Sequence, residues 1–158
     1  MTDQNNSAAE QKEKWVDLLQ TMDFFKTFDR GDLRELFSFG QVRRFRAKEY
    51  IIKGDVLDSS FYFLLHGRAD VILKPKTGGD AQKIAVLQDG ECFGEVAIWL
   101  GGSRSASVMA TTDCSVYELN KDELERMAIP LQCKMVKRIA YSMAAKIHEN
   151  NQQLVRFM

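Results

Sequence analysis

Residues 93–107, FGEVAIWLGGSRSAS, gather the groups best suited to chemistry in this chain: a Gly-Glu pair, a Gly-Gly-Ser turn, and an arginine nine residues after the glutamate. Between the glycines runs Val96-Ala97-Ile98-Trp99-Leu100, enough for a single apolar turn of helix. A helix starting near Glu95 aims free backbone N–H groups, and the positive end of the peptide dipoles, at one spot. Arg104, returning after the turn, can add a forked, charge-assisted bond to a phosphate. Ser105 sets a hydroxyl beside it. Glu95 is an acceptor next to an anion site, so its partner there is a sugar hydroxyl and not the phosphate. The competing reading is a plain structural salt bridge between Glu95 and Arg104.

Such a cradle needs a rigid frame. From about Gln41 the sequence changes to short apolar runs at 50–52, 61–65, 69–73, 84–87, 107–110 and 115–119. Turn residues such as Gly54-Asp55, Gly67, 77–80 (Thr-Gly-Gly-Asp) and Asp89-Gly90 separate them. That spacing predicts an antiparallel roll over 41–119, not βαβ units. Ahead of it, Trp15, Leu18, Leu19 and Met22 form one helical stripe, and a second short helix follows with Asp29 as cap, Asp32 in its first turn and Leu33, Leu36 and Phe37 facing inward. Behind it, Asn120 and Glu123 have capping-box spacing, and Pro130 suits the first turn of a long final helix. The fold class expected is α+β: a jelly-roll-like antiparallel β-roll flanked by N-terminal helices (9–38) and two C-terminal helices (121–158), with 1–8 as a disordered polar arm.

The last helix carries Val136, Ala140, Met143, Ile147, Asn150, Leu154 and Phe157 at alternating spacings of four and three. This is an a/d seam that fits either a parallel homodimer or a stripe packed on the chain's own core. Asn150 in that seam fits a two-stranded register.

Bulk properties narrow the class. Lys+Arg and Asp+Glu are both 22, and a zero net charge argues against a nucleic-acid-binding face while leaving room for one basic pocket. The basic run Val42-Arg43-Arg44-Phe45-Arg46 reads as a solvated strand face. No stretch approaches the roughly 20 apolar residues of a membrane span, and the polar start carries no signal-peptide core. Three cysteines without a CxxC pair read as free thiols of a cytoplasmic protein, with Cys92 an inert buried one. Two histidines are too few for the ligand cluster of a metal-dependent enzyme on a similar roll, so neither a metal site nor catalysis is expected.

The segment FGExA, followed by an Arg nine residues after the Glu and then by a small residue and Ala, resembles the phosphate-binding cassette of cyclic-nucleotide-binding domains, the family that includes the catabolite activator protein and the regulatory subunit of protein kinase A. The likeness extends over about 18–155. It implies that Arg104 binds the exocyclic phosphate oxygens and that Glu95, with the Gly94 backbone beside it, accepts from the ribose 2′-hydroxyl. It also implies that the N–H groups of Ala97 and Ser105 complete the cradle, and that Asn150 and Asn151 read the base. For Asn150 the coiled-coil register role stands beside that one. Ser105 after the arginine leans toward cAMP, with cGMP as the second ligand. One departure falls outside the cassette: Lys48-Glu49 stands where the family usually has Gly-Glu, and the interval to Gly54 is one residue short. The resemblance implies a cytoplasmic sensor that signals by moving its C-terminal helices. The alternatives are a piece of a larger transcription factor, channel or kinase, or a degenerate domain kept for protein interaction.

Overall fold

The computed structural model describes residues 2–157, with side chains over 7–157. Met1 and Met158, which end the expected arm and the expected domain, lie outside them. In chain order the helices are α1 (Thr2–Gln20), α2 (Arg30–Leu36), α3 (Val96–Leu100), α4 (Lys121–Arg126) and α5 (Ile129–Arg156), with a 3-10 turn at Asp23–Phe25. The strands are β1 (Gln41–Phe45), β2 (Tyr50–Ile52), β3 (Ser60–His66), β4 (Ala69–Leu73), β5 (Gln82–Leu87), β6 (Cys92–Phe93), β7 (Ser107–Ala110) and β8 (Cys114–Asn120). They form two four-stranded sheets, β1-β8-β3-β6 and β2-β7-β4-β5, in which every pairing is antiparallel.

β3 explains how one chain builds two cores. Successive side chains of a strand point to opposite faces. Phe61, Phe63 and Leu65 therefore enter a cluster under the helices, while Tyr62 and Leu64 enter a second cluster between the sheets. β8 divides in the same way, Tyr117 and Leu119 on one side and Cys114 and Val116 on the other. The helix-side core is aromatic: Phe24, Phe25 and Phe28 pack edge-on or tilted against one another and against Phe61 and Phe63. Leu131, Met135 and Ile139 of α5 close it.

Both expected capping boxes form. Asp29 accepts from the Asp32 N–H at the start of α2, and Asn120 accepts from the Glu123 N–H at the start of α4, with the reciprocal bonds present in each. Besides shifts of one or two residues at the ends of β3, β5, β8 and α5, two features differ from the sequence reading. α1 begins at Thr2, not Ala9, so the expected disordered arm is helical backbone from its second residue. Ala8, Ala9, Glu10, Gln11 and Lys12 are strong helix formers, and extending a nucleated helix is easier than starting one. β6 was not foreseen, because two residues cannot display a period.

The departure at Lys48 has a visible consequence. Lys48 takes φ 73°, the left-handed conformation natural to glycine, and donates its N–H to the Ala110 carbonyl at 2.7 Å. The pairing of β2 with β7 then slips between Tyr50 and Ile52.

Candidate functional site

The site grows from Gly94. This residue has φ +77°, and a Cβ there would lie 2.9 Å from Arg104 Nη1 and 3.2 Å from Ile52 Cδ1. Glycine is thus required both by the turn into α3 and by the approach of the arginine. Within α3 the first internal bond runs from the Ile98 N–H to the Glu95 carbonyl, so the N–H groups of Val96 and Ala97 precede it. The return segment is pinned too: Arg104 N donates to the Val56 carbonyl and Asp55 N to the Arg104 carbonyl, each at 3.0 Å.

Arg104 is only 6% exposed. Its Nη1 donates to the Gly94 carbonyl at 2.8 Å, and its Nη2 donates to Asp58 Oδ2 at 2.7 Å and to the Ser60 carbonyl. The guanidinium carbon lies 5.8 Å from the Tyr62 ring centroid. The buried Nε has no hydrogen-bond partner among the described residues. A buried guanidinium with a spare donor is costly unless another acceptor completes it, which is the chemistry of an anion receptor. Burial would raise the Asp58 carboxyl, but Arg104 and the Ser60 N–H more than offset this and hold it below its ordinary 3.8. The Tyr62 hydroxyl bridges Asp58 and Glu118 at 3.2 Å each, and burial beside those two carboxylates pushes its pKa up.

Glu95 is 5% exposed and does not pair with Arg104. Its Oε1 takes a 2.5 Å bond from Lys146 Nζ of α5. The structural salt bridge weighed from sequence is therefore absent. Each of the two residues has a different partner, which leaves both facing the same cavity.

That cavity has a volume of about 720 Å³, the size usual for small-molecule sites. Gly94, Glu95, Ala97, Arg104 and Ser105 lie along one side, and Lys146, Glu149, Asn150 and Gln153 of α5 along another. Ile52, Val71, Ile84, Val86, Leu87 and Val108 of the second sheet make an apolar wall. Six of the seven residues expected at the site thus meet in one place. Asn151 is exposed and lies outside the lining of this chain's cavity. Asp58, Ser60 and Lys146 were missed. For Lys146 a signal existed, since it stands four residues before Asn150 and so on the same helix face. Asp58 lies in no motif of the sequence, and it also fills a turn role by accepting from the Ser60 N–H at 2.9 Å.

A second hollow, of about 430 Å³, lies near Arg44, Arg46 and His66. Its carboxylates are spent on backbone groups, Glu49 accepting from the Arg46 N–H within one turn and Asp113 from the Ala47 N–H across the fold. The basic run nearby is a solvated face, as expected: Arg43 lies over Phe45 and pairs with Glu118. Cys92 is buried, and burial, aided by the nearby Glu95 charge, pushes its thiol up. No helix of the described residues is long and apolar enough to cross a membrane.

The family model described as cyclic nucleotide-binding domain matches residues 42–129. The chain is 29% identical, over 141 residues, to the human potassium/sodium hyperpolarization-activated cyclic nucleotide-gated channel 1, a match that covers 88% of this chain and 15% of the channel. The chain thus spans about a seventh of the curated relatives it matches. Among solved structures, a cyclic nucleotide-binding domain from Methylobacillus flagellatus superposes with TM-score 0.82 at 22% identity, covering 96% of this chain and 86% of that one. The Thermus thermophilus catabolite activator protein gives 0.71 at 23% identity, covering 85% and 62%. The regulatory domain of Toxoplasma gondii protein kinase A with cAMP gives 0.72 at 20% identity, covering 86% and 52%.

Proposed function

The chain belongs to the cyclic nucleotide-binding domain family, and from that premise we propose that it is a regulatory sensor for a cyclic mononucleotide, cAMP ahead of cGMP. The observation that carries the reading is Arg104: buried, held by Asp58 and two carbonyls, on the lining of the cavity, and with its Nε lacking a partner among the described residues. The cyclic phosphate sits against Arg104, the N–H groups of Ala97 and Ser105, and the Ser105 hydroxyl. The ribose 2′-hydroxyl donates to Glu95, with Gly94 allowing the close approach. The purine lies between the apolar wall around Ile84 and Val86 and the polar face of α5, where Asn150 can both donate and accept. Asn151 reads the base of a partner protomer across a parallel homodimer.

The preference for cAMP follows from Ser105 and from an amide at the purine edge. The same groups argue for binding without turnover. Arg104 is engaged by Asp58, and Glu95 by Lys146 and, on this reading, by the ribose hydroxyl, so neither is set to activate a water for attack on phosphorus. The protein is a cytoplasmic signalling module that needs no cofactor, binds neither nucleic acid nor membrane, and acts through its C-terminal helices on its own dimer or on a downstream protein.

Titration calorimetry with cAMP and cGMP tests the reading. Replacing Arg104 by Leu should cost about 2–5 kcal/mol of binding, as expected when a buried phosphate loses its charged partner. Undiminished binding by the Arg104→Leu protein would overturn the assignment.

A further inference from the structure

One face of α5 carries a polar row at four-residue spacing, and every member bonds to a segment outside α5. Lys134 pairs with Asp32 of α2. Arg138 donates to the Phe24 carbonyl at 2.7 Å and pairs with Asp23. The Ser142 hydroxyl lies 3.1 Å from Cys92 Sγ. Lys146 donates to the Cys92 carbonyl and to Glu95 Oε1, each at 2.5 Å. The row therefore runs from the N-terminal helices to the cassette, and its last rung is bound to the residue read as the ribose acceptor. Beyond Lys146, no hydrogen bond or ion pair among the described residues ties α5 to the rest of the chain.

We propose that Lys146 is the positioning residue for Glu95, and that it makes ribose recognition and the seating of α5 on the cassette depend on one another. The proposal rests on the reading that the cavity holds a cyclic nucleotide. Glu95 stands at the N-terminus of α3 but makes no capping bond with its side chain, so Lys146 is what fixes the carboxylate. With Oε1 occupied, Oε2 is left as the acceptor for a hydroxyl. The Cys92 carbonyl takes a second of the three ammonium donors and sets Lys146 at one height on β6. If α5 lifts, a carboxylate only 5% exposed loses its counter-charge and has to turn toward water. The ribose contact is lost with it. In return, a ribose hydroxyl that holds Glu95 in place holds Lys146 and α5. Two sites linked in this way must influence each other equally.

The test compares wild type with Lys146→Met, which keeps the stem, and Lys146→Arg, which keeps the charge. Calorimetry with cAMP and 2′-deoxy-cAMP measures how strongly each protein prefers the ribose form. Wild type should prefer it by about tenfold or more, the worth of one hydrogen bond to a charged group. The preference should fall below about threefold in Lys146→Met and return in Lys146→Arg. A purely structural lysine would weaken both ligands alike, and an unchanged ratio in the Met variant overturns the proposal. Hydrogen exchange of the ligand-free proteins is the second arm. Amides over 143–150 should exchange about tenfold faster in Lys146→Met, and unchanged protection overturns the seating role. Wild-type protein that binds neither nucleotide would instead overturn the reading of the cavity and with it the ribose half of the proposal. The exchange arm would still decide the contact between α5 and the cassette.

Discussion

Arg104 can serve as an anion receptor only because other groups hold it, and Asp58 is the charged one among them. The pair sits at 2.7 Å with the guanidinium buried and the carboxylate side chain 29% exposed, so solvent screens it partly from one side only. Replacing Asp58 by Asn leaves a buried cation short of its counter-ion. The variant should lose about 1–3 kcal/mol of stability at neutral pH and should bind cAMP more weakly as Arg104 loosens. The pH dependence has a definite sign. Asp58 is depressed in the folded protein from its ordinary 3.8, so the unfolded chain takes up the proton first as pH falls. The stability gap between wild type and Asp58→Asn is fully present well above pH 3.8. It shrinks as pH falls through the lowered folded value. Urea unfolding of both proteins at pH 7, 4.5 and 3 measures it, and a gap that stays constant over that range would contradict the pairing. Of these residues, Arg104, Glu95 and Gly94 were legible in the sequence because a cassette is local. Asp58 and Lys146 reach the site only through pairings across 46 and 51 positions, and no local pattern announces such contacts.

At the scale of elements, what was legible is what short-range rules govern. The capping boxes at Asp29/Asp32 and Asn120/Glu123 follow from side chains three residues apart. The runs at 50–52, 69–73 and 107–110 match β2, β4 and β7 at both ends, because apolar residues between turn formers leave little freedom of register. Lys48 shows where a local rule is broken and the fold persists. The turn between β1 and β2 needs a left-handed residue, and lysine fills it at φ 73°. The conformation is held by the Lys48 N–H to Ala110 and by Glu49, whose side chain accepts from the Arg46 N–H at 2.7 Å. For a residue with a Cβ this costs about 1–2 kcal/mol, part of which glycine would return as extra freedom of the unfolded chain. Lys48→Gly should therefore raise stability by about 0.5–1 kcal/mol and leave cAMP affinity unchanged, since Lys48 does not line the cavity. Chemical denaturation and calorimetry report the two outcomes separately, and a destabilised variant would show that the lysine side chain makes a contribution of its own.

At the scale of the whole molecule, α5 belongs to both halves of the design. Its first half is core: Leu131, Met135 and Ile139 are buried, with Val136 and Met143 packed against them. The seam legible in the sequence was thus partly the chain's own packing stripe, because a/d spacing alone does not say which surface an apolar stripe meets. The second half is different. Ile147 is 60% exposed, Leu154 64% and Phe157 90%, while Lys146, Asn150 and Gln153 turn to the cavity. These apolar residues continue the same spacing but are mostly exposed among the described residues, which fits a second copy of α5 lying alongside. With so few apolar contacts the association should be weak and concentration-dependent, since short coiled coils are marginal. Sedimentation of the wild type, with and without cAMP, should show a reversible monomer–dimer equilibrium at high protein concentration. Leu154→Glu and Ile147→Glu place like charges across the proposed seam and should stay monomeric throughout. Both should keep the contacts that their own chain makes to cAMP, because neither residue lines the cavity, and lose only the base contact proposed for Asn151 across the dimer. A wild type that stays monomeric at every concentration, ligand or none, would refute the dimer. The apolar edge of α5 would then belong to a different partner.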